Sequence, residues 1–136
     1  MIRYVLATVA TLCISAGALL ACDTAFDYGD DLFDRGISYA NSARDKFNRA
    51  ADILESDRVS ACELLSDSEN LYRKAVDEFY GAVNDYTDAV DDCNLDGRRS
   101  DARAARENAE ISRENQIQFQ ENQELVRGAW VKFCAG

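Results

Sequence analysis

Histidine and proline are absent from the 136 residues, and methionine and tryptophan occur once each. Without histidine there is no imidazole base, no Cys-His or Ser-His pair, and no ring nitrogen for zinc or copper. Neither catalysis nor a cofactor is expected. Without proline, nothing removes a backbone donor from a helix interior, so long unbroken helices are open to this chain. Basic residues are scarce as well: Lys and Arg number 15 against 25 Asp and Glu. Arg3 is the only charge before residue 22, so the remainder carries a net charge of about −11. Such a surface argues against nucleic acid and anionic headgroups, because carboxylates outnumber the basic contacts that would release counterions. A cationic protein partner fits it.

What is present begins with an export signal over residues 1–21. Arg3 supplies the positive start, Tyr4 to Leu20 is uncharged and largely apolar, and Ala21 is a small residue at the cleavage point. The rival is an uncleaved anchor, since about 18 apolar residues can just span a bilayer. The run is rich in Ala, Thr, Ser and Gly, which favours cleavage. Residues 22–136 then form one domain with one core.

Leu19-Leu20-Ala21-Cys22 resembles the lipobox of bacterial lipoproteins, whose cysteine is acylated and begins the mature chain. The resemblance implies a lipid on Cys22 and attachment to a membrane. The Gly/Ser-rich tether common in lipoproteins is absent, because Asp23-Thr24-Ala25-Phe26 leads straight into a helical pattern. One thiol cannot be both acylated and disulfide-bonded, so Cys22 has two alternative fates.

The first helical pattern spans about 24–56. Phe26, Phe33, Ala40, Phe47 and Leu54 recur every seven residues, and Gly29, Gly36, Ala43 and Ala50 follow at the interleaved position. Large and small rows side by side predict a close approach by a neighbouring helix. The second pattern, about 60–93, repeats the scheme with Leu65, Tyr72, Phe79, Tyr86 and Cys93 beside Ala61, Ser68, Ala75, Ala82 and Ala89. Ser60-Ala61-Cys62-Glu63 reads as a capping box at its start. Asn94-Leu95-Asp96-Gly97 supplies a turn. A third helix is predicted over 99–134. It places Ala105, Ser112, Phe119, Val126 and Phe133 on one row and Asn108, Asn115 and Asn122 on the next. Short connections make neighbours antiparallel, so the expected fold is an all-α, up-down-up three-helix bundle, each helix near 50 Å long.

That topology puts Cys22 and Cys93 at one end and Cys62 and Cys134 at the other, predicting the pairs Cys22–Cys93 and Cys62–Cys134. Each would close a loop of about 70 residues and contribute roughly 4 kcal/mol in the chain-entropy model. The wide cysteine spacing, with no C-x-x-C, favours disulfides over a metal site. Asp30-Asp31 and Asp91-Asp92 lack calcium-loop spacing and read as solvated helix faces. The amides of Asn108, Asn115 and Asn122 have two readings. They set helix register against Tyr39, Tyr72 or Tyr86 inside the bundle, or they line a half-exposed groove for a partner helix.

Glu124-Leu125-Val126-Arg127-Gly128-Ala129-Trp130-Val131-Lys132-Phe133-Cys134 resembles the closing motif of LprI-like secreted lysozyme inhibitors, a helical, cysteine-containing family. The family's Arg-Asp step and more distant final cysteine are missing, since Cys134 follows Phe133 directly. The resemblance implies inhibition of a cationic hydrolase, while packing alone also accounts for Trp130 and Phe133. The expected function is that of a binding or structural element of the cell envelope or periplasm, with a hydrolase inhibitor and a lipid-anchored form of the same bundle as alternatives.

Overall fold

The computed structural model describes residues 2–136, with side chains described from residue 21 onward. The export signal expected over 1–21 therefore lies, except for Ala21, outside the fully described residues. Three helices follow one another: α1 (Ile2–Ile53), α2 (Arg58–Leu95) and α3 (Arg99–Cys134). Among the described residues no helix is long and apolar enough to cross a membrane.

Four boundaries differ from expectation: α1 already begins at Ile2 rather than near residue 24, α2 runs on to Leu95 rather than Cys93, and the ends that meet at the first connection also shift. The first helix ends at Ile53, where Ser56 N and Asp57 N both donate to Ile53 O, rather than at Ser56. The second starts at Arg58, two residues before the predicted cap. Asp57, not Ser60, is the N-cap: its carboxylate accepts from Ser60 N at 3.1 Å and from Ser60 Oγ at 2.6 Å. Those hydrogen bonds hold the Asp57 carboxyl below the usual carboxylate range. An ionised acceptor outcompetes a hydroxyl for the free backbone donors of a first turn. At the second connection Gly97 takes φ 74, a left-handed conformation that turns the chain into α3 at little cost because the residue has no Cβ.

The pattern of α2 is realised residue for residue. Its buried positions are Ala61, Leu65, Ser68, Tyr72, Ala75, Phe79, Ala82, Tyr86, Ala89 and Cys93, the two predicted rows, while Val76, Val83 and Val90, which the heptad pattern also sets along this stripe, are half-buried. In α1 the small row lies deepest: Gly29, Gly36, Ala43 and Ala50 are buried, while Phe26, Phe33, Phe47 and Leu54 are half-buried. The reason is steric. A Cβ added to Gly29 would stand 2.7 Å from the Tyr86 ring, and one added to Gly36 2.8 Å from the Phe79 ring. The rings of α2 thus nest on the α1 backbone, and Ser68 Oγ closes the same seam by donating to Ala43 O at 2.7 Å.

In α3 the buried residues are Ala102, Ala105, Ala109, Ser112 and Val126. The row beside Ala105 and Ser112 that meets α2 is therefore the one begun by Ala102 and Ala109, not the Asn row. Alanines let α3 approach α2 closely, which turns the amides toward the other flank. One large residue ties the three helices together. Phe79 is fully buried, meets Phe33 of α1 edge-on at 5.3 Å and stacks on Phe119 of α3 at 5.4 Å. Burying such a side chain contributes about 1.5–3 kcal/mol. The rings of α2 act as a wedge, so α2 packs along both neighbours whereas α1 and α3 scarcely touch.

Each end carries a disulfide. Cys22–Cys93 joins α1 to α2 with Cα atoms 4.9 Å apart, and Cys62–Cys134 joins α2 to α3 with Cα atoms 5.8 Å apart. Two internal disulfides in a chain of this size point to an oxidising, extracytoplasmic compartment.

Candidate functional site: the seam between α1 and α3

Because the rings of α2 hold α1 and α3 apart, the flanks those two helices turn toward each other stay partly open. Asn108, Asn115 and Asn122 are all half-buried, as are Phe33 and Phe47 of α1. Heptad spacing sets the Asn row on one edge of α3, with Ile111 and Leu125 one step further out. These two apolar side chains are 47% and 61% exposed.

The site is best defined around Tyr86. Its ring is buried against Gly29 and meets Phe26 edge-on at 6.0 Å. Its hydroxyl donates to Asp30 Oδ1 at 2.5 Å. Asn108 lines the same pocket as this phenol. Asp30, Phe33, Tyr86, Asn108 and Ile111 line a pocket of about 180 Å³ there. Burial, followed by the Asp30 hydrogen bond and charge, pushes the Tyr86 phenol well above its ordinary range, with Asp34 adding to the effect and Asn108 opposing it. A phenol so placed is a fixed neutral donor, and the acids beside it give the pocket a negative rim. That arrangement can bind and orient a polar or cationic group.

Of the three tyrosines that register could have used, one meets the Asn row. Tyr72 stacks on Phe119 at 6.1 Å, and Tyr39 lies on the α1–α2 side with Lys74 over its ring at 5.6 Å. Tyr86 shares a pocket with Asn108 of the row. Sequence reasoning treated Asp30 as a solvated acid and missed its pairing with Tyr86. The available signal was that Asp30 follows Gly29, the residue on which the tyrosine ring rests.

Along the rest of the seam, every amide is preceded by an exposed acid: Glu107, Glu114 and Glu121. Asp27 and Asp34 are exposed on the α1 side. At the far end Phe47, Ala50, Ala51, Leu54, Leu65, Ala129 and Phe133 surround an apolar pocket of about 60 Å³. Among the described residues, the one buried side-chain polar atom without a partner is Ser112 Oγ, on the α2-facing row of α3 rather than in the seam. Also among the described residues, no three His, Cys, Asp or Glu side chains converge as a metal site would require, and neither acidic pair belongs to such a group. The Cys22 sulfur is held in a disulfide, which leaves it no thiol for an acyl chain in this state. No family model, curated protein or solved structure matches the chain.

Proposed function

We propose that the protein works outside the cytoplasm, in the periplasm or cell envelope, as a small binding element that offers the α1–α3 seam to a helix of a protein partner. The observation that carries this reading is the thin contact between α1 and α3, in a molecule whose other two seams are closed and whose ends are both clamped. The exposed Ile111 and Leu125 and the flanking acids suit a helix with an apolar stripe edged by Lys or Arg. A photo-crosslinking residue placed in the cell at Ile111 or at Leu125 is expected to trap one and the same protein. The same residue at Asn84, on the outward face of α2, is expected to trap none. No adduct from either seam position, or the same adduct from Asn84, would refute the reading.

The seven-residue spacing of Glu107, Glu114 and Glu121 beside the Asn row favours a more specific second reading, inhibition of a cationic envelope hydrolase such as lysozyme. An inhibitor that works through these acids should slow lysozyme at low ionic strength and lose its hold steeply as salt is added. Full lysozyme activity at low salt in the presence of the oxidised protein contradicts it. In the lipid-anchored alternative, Cys22 is acylated and only Cys62–Cys134 forms; the intact mass of the mature chain tells the two forms apart.

A further inference from the structure

Both disulfides close loops of nearly the same length, 71 and 72 residues in sequence separation. Chain entropy therefore stabilises them equally, and any difference between them must come from their surroundings. Cys22 and Cys93 have no exposed surface and lie in a cluster with Ala102 and Phe26. Cys62 and Cys134 are only partly covered and line an open pocket of about 500 Å³ with Arg58, Val59, Glu63 and Trp130. Trp130 and Val59 are 36% and 72% exposed, which makes the pocket's rim apolar. Disulfide exchange needs a thiolate to reach a sulfur along the S–S axis, so access decides which bond reacts.

We infer that Cys62–Cys134 is an exchange-competent disulfide, and that its pocket receives the active-site cysteine of a dithiol oxidoreductase. The two sulfurs are not equivalent. Cys62 lies near the N-terminus of α2, and Arg58, one helical turn before it, lines the same pocket. Cys134 is the last residue of α3, at the negative end of that helix. A thiolate forms more readily at Cys62, which makes Cys62 the better leaving group. The incoming thiolate attacks Cys134 Sγ, the S–S bond breaks, and Cys62 departs as a thiolate facing Arg58. The partner's second thiolate then attacks the partner's own sulfur in the mixed disulfide and expels Cys134. Two electrons pass from the dithiol to the bundle disulfide, the dithiol is oxidised to its own disulfide, and the two released thiolates take up protons. Arg58 Nε, which donates to Phe133 O at 2.6 Å, then becomes the remaining polar link between the start of α2 and the end of α3 at this pocket. Opening the bond frees the last turn of α3 and uncovers the apolar pocket formed by Leu54, Leu65 and Phe133.

The test uses the folded, oxidised protein and two probes, dithiothreitol and a reduced thioredoxin whose resolving cysteine is replaced by serine. Timed alkylation and peptide mapping should show Cys62–Cys134 opening in dithiothreitol at least about tenfold faster than Cys22–Cys93. The thioredoxin variant should be trapped on Cys134. Trp130→Ala and, separately, Val59→Asp should lower the trapped yield without slowing the small reductant, with thermal melting confirming that both variants fold. Equal opening rates, an adduct on Cys22, Cys93 or Cys62, or unchanged trapping by both variants would overturn the inference.

Discussion

At one end of the bundle Cys22 and Cys93 are bonded beneath Ala102 and Phe26, and Arg98 spans the outside by donating to Asp23 at 2.6 Å and to Asp101 at 2.7 Å. At the other end Cys62 and Cys134 are bonded in the wall of an open pocket beside Trp130. The same covalent bond thus does two jobs. In the first it is part of the core. In the second it lies in the wall of an open pocket, with Cys134 at the edge of the main core cluster that includes Ala61, Leu65 and Val126. The side chains of α3 follow the same division, with alanines and a serine in its first half, where α3 lies close on α2, and Phe119, Val126 and Phe133 in its second.

Removing the bonds should have the largest effect and should separate the two ends. Cys62→Ala with Cys134→Ala is expected to cost roughly 4 kcal/mol in urea unfolding, close to the loop-closure value alone. Cys22→Ala with Cys93→Ala should cost that amount plus about 1–2 kcal/mol, because buried sulfur contacts are lost as well. Equal losses would mean that the two ends are packed alike.

Glycine substitutions sharpen the comparison at the next level. Gly36→Ala drives a methyl group to 2.8 Å from the Phe79 ring and is expected to destabilise by about 1–3 kcal/mol despite alanine's better helix propensity. Gly128→Ala meets nothing within 4 Å and should stabilise by up to about 1 kcal/mol. Stabilisation by both substitutions would show that α1 and α2 are farther apart than described.

Tyr86→Phe removes the hydrogen bond to Asp30 and should cost about 1–2 kcal/mol at neutral pH. The pH dependence follows from the raised phenol. The contribution of Tyr86 is complete below the unfolded-state value of about 10 and is lost as pH climbs above it, since the unfolded chain releases the proton first. Wild-type stability should therefore fall in alkali more steeply than that of Tyr86→Phe. Parallel alkaline profiles would place the hydroxyl in water. Tyr72, also raised by burial, keeps a shallower alkaline loss in both proteins. Smallest of all, Arg98→Ala should lower the melting temperature slightly at low salt and hardly at all at high salt, as exposed ion pairs do.

How much could be read beforehand varied by helix. In α2 both flanks are covered, so its heptad rows translate directly into burial and all ten core positions are legible. In α1 and α3 only one flank is covered, and periodicity alone does not say which. For that reason the small row of α1 lies deeper than its Phe row, and the row of Ala102 and Ala109 meets α2 in place of the Asn row. Cysteine placement carried the topology, because residues at matching helix ends are the ones antiparallel packing brings together. The half-open seam depends on the width of the rings at Phe79 and Tyr86 relative to Gly36 and Gly29 opposite them, a three-dimensional quantity with no one-dimensional signature. The helix caps depend on competition between neighbouring acceptors, which is why Asp57 displaced Ser60.

The central claim is an up-down-up bundle strapped once at each end. Non-reducing peptide mapping of the mature protein, taken from an oxidising compartment and alkylated before digestion, tests it directly. The account predicts two cross-linked peptides, Cys22 with Cys93 and Cys62 with Cys134. A Cys62–Cys93 cross-link, which would join the two ends of a single helix, or free thiols at both Cys62 and Cys134, would contradict it.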